Sequence, residues 1–224
     1  MKNAIILAMI LMLGSATSHA NQVYLDQLGN NSTTTIEQVG TNNRVGTGIE
    51  AASRVVGNSA VINVRQTGNT NSMVYNITGD TNNFNSTTNG NSNTITFNCG
   101  GAGTTASGNC GTTTVTETII GNANILNTTV IGAGNTRTAS ITGNTNTLST
   151  TVETSNSNIN TTVNGDNNTL SHTLTGTGGT GHILATNITG SSNSVTTVQT
   201  GASSTTVNLN INGTSNTFTV RTGN

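Results

Sequence analysis

The sequence predicts an all-β fold: an amyloid-like β-solenoid of stacked strand–turn–strand arches. Three observations predict it. Glycine recurs at steps of 11 residues, asparagine usually follows it three residues later, and the segments between alternate apolar residues or Thr with polar ones. A fixed short period marks a repeat architecture, and period-two alternation marks a strand with one face turned inward.

The glycine frame comes first. Gly29 and Gly40 are 11 apart, and Gly57, Gly68, Gly79, Gly90 and Gly101 continue at that step. Gly121, Gly132 and Gly143 take it up again; Thr154 holds the next slot, then Gly165 and Gly176 return. Gly190 and Gly201 resume after a three-residue insertion, and Gly213 follows after 12. The turn itself reads G-x-x-N, with Asn at 43, 71, 82, 93, 124, 135, 146, 168, 193 and 216. Glycine tolerates positive φ, and asparagine both tolerates the left-handed region and bonds its own backbone.

The strands lie between the turns. Leu126-x-Thr128-x-Val130, Leu148-x-Thr150-x-Val152 and Ile159-x-Thr161-x-Val163 place their inward residues two, four and six positions before the next glycine slot. One such unit cannot bury its apolar face, but two form an arch and stacked arches share a core. The half-repeat of 11 makes a layer of about 22 residues, with strands two units apart parallel and in register. About 17 units give eight or nine arches, a prism roughly 40 Å tall at about 4.8 Å per layer. Loop insertions are expected near residues 46–53, 100–111 and 177–182, where the period breaks.

Composition agrees. The chain has 49 Thr, 38 Asn and 27 Gly, no Pro or Trp, and 6% charged residues. Thr, Val and Ile favour strands, whereas Asn and Gly favour turns. Low charge suits a stack in which like residues sit on like, because a ladder of like charges repels itself. With a net charge of −1 and no basic cluster, nucleic-acid binding is disfavoured.

The first 20 residues read as a signal peptide. Lys2 precedes an apolar run over residues 4–13, and Ser18-His19-Ala20 places small residues for cleavage between Ala20 and Asn21. Residues 21–224 then form the repeat domain. No later apolar run approaches the length of a transmembrane helix.

Near the start the repeat is more specific. Leu25-Asp26-Gln27-Leu28-Gly29 is followed by Ile36-Glu37-Gln38-Val39-Gly40-Thr41-Asn42-Asn43, and Gln66-Thr67-Gly68-Asn69-Thr70-Asn71 repeats the form Q-x-G-x-x-N. This resembles the curlin repeat. The resemblance implies a subunit of an extracellular amyloid fibre, secreted via the periplasm through an outer-membrane export pore, with a nucleator subunit as partner. It implies roles in adhesion and biofilm matrix, and inward amide ladders at Gln27, Gln38, Asn43, Gln66, Asn71 and Gln199. Other units place Val130, Ile141, Val152, Val163, Leu174 and Ile188 in the glutamine slot.

Few residues suggest chemistry. Cys99 and Cys110, 11 apart, bracket a Gly-rich loop in equivalent slots of successive units. In a secreted chain they suggest a disulfide; two buried thiols are the alternative. His172 falls in a central inward slot, either as a pH switch or as a substitution bonded to its neighbours; His182 falls in a loop. Glu117 and Arg137 take inward slots on the same side of the arch. They form an inter-layer ion pair unless local register turns Glu117 outward. The seven carboxylates are scattered singly, and no Ser-His-Asp grouping is present, so no enzyme, metal or cofactor is expected.

The expected function is therefore a fibre homopolymer assembled by end-to-end strand templating. Unpaired strand edges at the ends of a stack recruit further chains, and solenoids that stay monomeric usually carry caps. None is legible here. The alternative is a monomeric Thr-rich solenoid that binds: an adhesin, a phage-fibre shaft or an ice-binding protein. An ice-binding face needs Thr in matching outward slots, and in this register many Thr fall inward.

Overall fold

The computed structural model describes residues 7–9, 20–48, 52–100, 110–176 and 181–223. Among them every regular element is a strand. The strands form two sheets that face each other across one core, and every pairing between them is parallel.

The first sheet has nine strands: Leu7–Met9, Thr33–Val39, Val61–Thr67, Asn83–Asn89, Thr114–Ile120, Thr136–Thr142, Asn158–Asn164, Ile183–Thr189 and Thr206–Asn212. The second sheet opens with two interrupted rungs, Gln22–Val23 with Leu25–Leu28, and Arg44–Val45 with Ser53–Val56. Ser72–Thr78, Thr94–Cys99, Ile125–Ile131, Thr147–Glu153, Thr169–Gly176, Ser194–Gly201 and Thr217–Thr222 complete it. The chain alternates between the sheets, so each layer is one arch and the stack is a β-solenoid of about eight turns. Like sits on like, as where Leu126, Leu148 and Leu170 align in one column.

Alternation drives the packing. Strand Ile125–Ile131 buries Leu126, Thr128 and Val130 while Ile125 and Asn127 face solvent, and the pattern recurs in most strands. Phe84 and Phe97 stack across the core with ring centroids 4.6 Å apart, and Tyr75 tilts against Phe84.

The turns are stricter than the sequence suggests. Glycines open them with φ between about +110° and +146°. A Cβ on Gly143 would stand 2.0 Å from the carbonyl oxygen of Gly165 in the next layer, so even alanine would force the layers apart there. The left-handed residue is the one before the asparagine: Asn42, Thr70, Ser92, Ala123, Thr145 and Asn167 have φ of 55–63°. The asparagine itself is not left-handed; its side chain points inward.

The first insertion, near residues 46–53, interrupts a rung. Between Val45 and Ser53 the chain leaves the second sheet in mid-strand and returns to the same rung: Gly46 N donates to Met73 O and Ser53 N to Tyr24 O. Residues 49–51, 101–109 and 177–180 lie outside the described residues, as does most of the predicted leader.

Candidate functional site

The most regular feature of the molecule is a ladder of asparagines buried along one corner, where the chain passes from the first sheet to the second. Asn43, Asn71, Asn93, Asn124, Asn146, Asn168, Asn193 and Asn216 occupy successive layers. From Asn71 onward each Nδ2 donates to the Oδ1 of the asparagine in the layer before, at 3.0–3.1 Å. That Oδ1 also accepts the backbone N–H of the same residue, and Nδ2 donates again to a turn glycine carbonyl of the following layer, as from Asn124 to Gly143 at 2.8 Å. Asn21 begins the series by accepting from Asn43 N. The opposite corner holds Ser32, Ala60, Asn82, Thr113, Asn135, Ser157, His182 and Thr205 in the same slot. Parity was the missed signal: asparagine fills every second turn without exception, and the turns between are mixed. A second ladder, of exposed amides Asn69–Asn91–Asn122–Asn144 ending on the carboxylate of Asp166, runs beside the first.

The glutamines divide. Gln38 Nε2 donates to Gln66 Oε1 at 2.8 Å, and Asn43 bonds Asn71 at 3.0 Å, so these four do form inter-layer amide pairs. Gln27 and Gln199 do not. Gln27 lies under Val55 and bonds Ser32 O and Thr34 Oγ1. Gln199 lies between Leu174 and Thr222 and donates to the carbonyls of Ile183 and Thr205. An amide without an amide neighbour in its column turns to polar groups at the nearby corner; Gln199 is fully buried and Gln27 half-buried.

Cys99 and Cys110 are joined by a disulfide, Cα to Cα 5.5 Å. They are not in equivalent slots. Cys99 is the third inward residue of its strand, whereas Cys110 takes the glycine slot of the following turn, above Gly79, with its N–H on Thr78 O. The bond therefore joins the end of strand Thr94–Cys99 to the start of the following turn. Replacing both cysteines with serine is expected to lower stability by about 2–3 kcal/mol, the entropy of opening so short a loop. Urea midpoints with and without reductant, on the parent and the variant, check this: only the parent should respond.

His182 is also placed differently from the sequence reading. It is fully buried in the mixed corner, its Nδ1 2.8 Å from Thr205 Oγ1 and its Nε2 3.2 Å from Thr175 O.

Arg137 and Glu117 meet in the interior. Arg137 Nη1 donates to Glu117 Oε1 at 2.9 Å with both side chains wholly inaccessible to solvent. Thr128 Oγ1 donates to the same carboxylate oxygen at 3.0 Å, and Arg137 Nη2 to Thr150 Oγ1 at 3.4 Å. The residues lie in adjacent layers, one slot apart diagonally, since Glu117 aligns with Ala139 and Val115 with Arg137. Burial pushes the carboxyl up and the guanidinium down, and each charge pulls its partner back. Two exposed pairs, Arg54–Asp26 and Arg65–Glu37, tie the first layers together at 3.2 Å each.

His172 sits above Thr150 and below Thr197, and neither ring nitrogen has a hydrogen-bond partner among the described residues. Burial, helped by the Arg137 charge, lowers its pKa from 6.5 to about 3. The unfolded chain therefore binds this proton from pH 6.5 downward, while the folded chain binds it only near pH 3. Between those values the group's contribution to stability falls as pH falls, by up to about 1.4 kcal/mol per pH unit. His172→Thr, which copies Thr150 and Thr197, is expected to flatten stability against pH between 6.5 and 3 by one proton. Urea midpoints across that range measure the difference from the parent.

The ends of the stack complete the site. On the last layer, Leu209 and Val220 are only half-buried and Phe218 is 38% exposed, although the same slots are buried throughout the middle of the stack. The outer edges of Thr206–Asn212 and Thr217–Thr222 pair with no described strand. Arg221 makes no ion pair among the described residues. On the first layer Val23, Leu25 and Ile36 are half-buried. The outer edge of Thr33–Val39 carries Leu7–Met9, paired from Leu7 on Thr34 to Met9 on Ile36. No protein-family model, no curated protein and no solved structure matches this chain.

Proposed function

We propose that this chain is the structural subunit of a secreted, extracellular, curli-like amyloid fibre, assembled by end-to-end strand templating and serving surface adhesion and biofilm matrix. The observation that carries the reading is the pair of open sheet edges on the last layer, flanked by half-buried apolar residues. Unpaired N–H and C=O rows recruit another strand, and covering Leu209, Phe218 and Val220 adds apolar burial to the backbone bonds. Self-association is the partner this surface fits, because the first layer offers parallel strands with Val23, Leu25 and Ile36 in the same inward slots. Export through an outer-membrane pore and initiation by a nucleator belong to the same reading.

The test is to dilute residues 21–224 from denaturant at neutral pH and follow them by electron microscopy and X-ray diffraction. Unbranched filaments with reflections near about 4.8 and about 10 Å are expected. A β-rich monomer that stays dispersed for days would overturn the proposal.

One observation favours the monomeric binding module as second reading. Hydroxyls do fall in matching outward slots of the second sheet: Thr147, Ser149 and Thr151 lie under Thr169, Ser171 and Thr173. A dispersed monomer with thermal hysteresis would select that reading.

A further inference from the structure

The stack from residue 22 to residue 222 contains an odd number of half-turns, and we infer from this that successive subunits of the fibre are rotated by half a turn about the fibre axis. The inference rests on the fibre reading above.

Without Leu7–Met9, which precedes the expected cleavage site, the first sheet has eight described strands. The second has nine rungs once its two interrupted rungs are each taken as one, so the stack holds seventeen half-turns. It begins and ends on the second sheet. After Thr217–Thr222 the next vacant position therefore lies on the first sheet, over Thr206–Asn212. An incoming copy, however, begins with a rung of its second sheet.

If the copy keeps the same orientation, that rung lands on Thr217–Thr222. Its Thr33–Val39 strand then stands two strand spacings above Thr206–Asn212, with a seven-residue strand missing between them. The gap leaves two strand edges unbonded and opens the core. Leu7–Met9 lies in this same half-layer, on Thr34–Ile36, and the cleavage expected between Ala20 and Asn21 would vacate it.

Half a turn of rotation removes the gap. The two strands of an arch run in opposite directions on opposite sides, so the rotation exchanges side and direction together. The copy's first rung then lies parallel on Thr206–Asn212, and its Thr33–Val39 lies parallel on Thr217–Thr222. With the glycine frame held, Val23 covers Val207, Leu25 covers Leu209 and Ile36 covers Val220, apolar on apolar. Glu37, already paired to Arg65 on one side, meets the unpaired Arg221 on the other.

The corner also fits, because the joint repeats one that the chain already contains. Rotation places Ser32 of the copy over Asn216. Within the chain Ser157 lies over Asn135 in that relation: Ser157 N donates to Asn135 Oδ1 at 2.9 Å, and Asn135 Nδ2 donates to Thr154 O at 2.8 Å. At the joint Ser32 N would donate to Asn216 Oδ1, and Asn216 Nδ2 to Gly29 O. Eight and a half layers set the rise per subunit at about 41 Å, at about 4.8 Å per layer.

Two cysteine pairs, each introduced into residues 21–224, distinguish the joints. Facing residues of neighbouring parallel strands lie about 4.8 Å apart, within disulfide reach. Arg221→Cys with Glu37→Cys links subunits in the rotated joint, and Arg221→Cys with Asp26→Cys links them in the unrotated one. After assembly and mild oxidation, a non-reducing gel is expected to show a ladder of covalent multimers for the first pair and monomer for the second. Helical reconstruction of unsubstituted fibres is expected to give the half-turn rotation per subunit. The opposite gel pattern, fibres in which neither pair links, or a reconstruction without the rotation would overturn the inference while leaving the fibre reading intact. Failure to form fibres at all would overturn both.

Discussion

Glu117→Ala is expected to lower stability by about 3–5 kcal/mol, the cost of stranding a buried charge whose partner has been removed. The Arg137 side chain is wholly buried, and among the described residues Glu117 is its only anionic neighbour within salt-bridge distance. A loss of that size is a large fraction of the about 5–15 kcal/mol that holds a typical domain folded. The double replacement Glu117→Leu with Arg137→Leu is expected to be near neutral or stabilising, since two ions taken from water recover little more than their desolvation. Urea midpoints of the single and double variants check both expectations. If the double variant were as unstable as the single, the pair would be contributing more than mutual neutralisation. The ion pair also fixes register. A one-residue slip of either strand would turn one charge outward and leave the other buried alone.

Asn124→Ala is expected to cost roughly 3 kcal/mol or more, whereas Asn122→Ala, two residues away, is expected to cost less than about 1 kcal/mol. Both residues belong to amide ladders with similar bond lengths, Asn124 to Asn93 at 3.1 Å and Asn122 to Asn144 at 3.1 Å. They differ in access to water. Asn124 is fully buried, and its loss strands the N–H of Asn146 and the carbonyl of Gly143 inside the corner. Asn122 is exposed, so water replaces its amide. Thermal or urea unfolding of the two variants measured side by side tests this; equal losses would mean that the inner ladder is hydrated.

The strands themselves were legible because a solenoid layer is decided locally. Leu148-x-Thr150-x-Val152 alternates whatever lies above or below it, and the glycine at the turn answers to one backbone conformation. The asparagine ladder was only half legible. G-x-x-N announces a turn, but which of its residues takes the left-handed region is a matter of φ. At Thr145 and Asn146 the β-branched residue takes it and the asparagine turns inward, because only the inward amide reaches both neighbouring layers. Gln27 and Gln199 misled for the opposite reason. A ladder needs an amide in the adjoining layer as well as in the period, and Val55 and Leu174 stand there instead.

By itself the sequence determined the all-β class, the 11-residue half-repeat, the parallel in-register stack and the inward slots of Glu117, Arg137 and His172. These follow from spacing and side-chain type, which one strand and one turn are enough to express. Only the tertiary structure decided which corner carries the continuous asparagine ladder, that Cys110 takes a glycine slot, that His182 is a buried corner residue, and which sheet each end of the stack presents. Those depend on where the chain rejoins its layer after each insertion. A loop of any length can re-enter the same rung, so the order along the sequence does not fix the position in the stack.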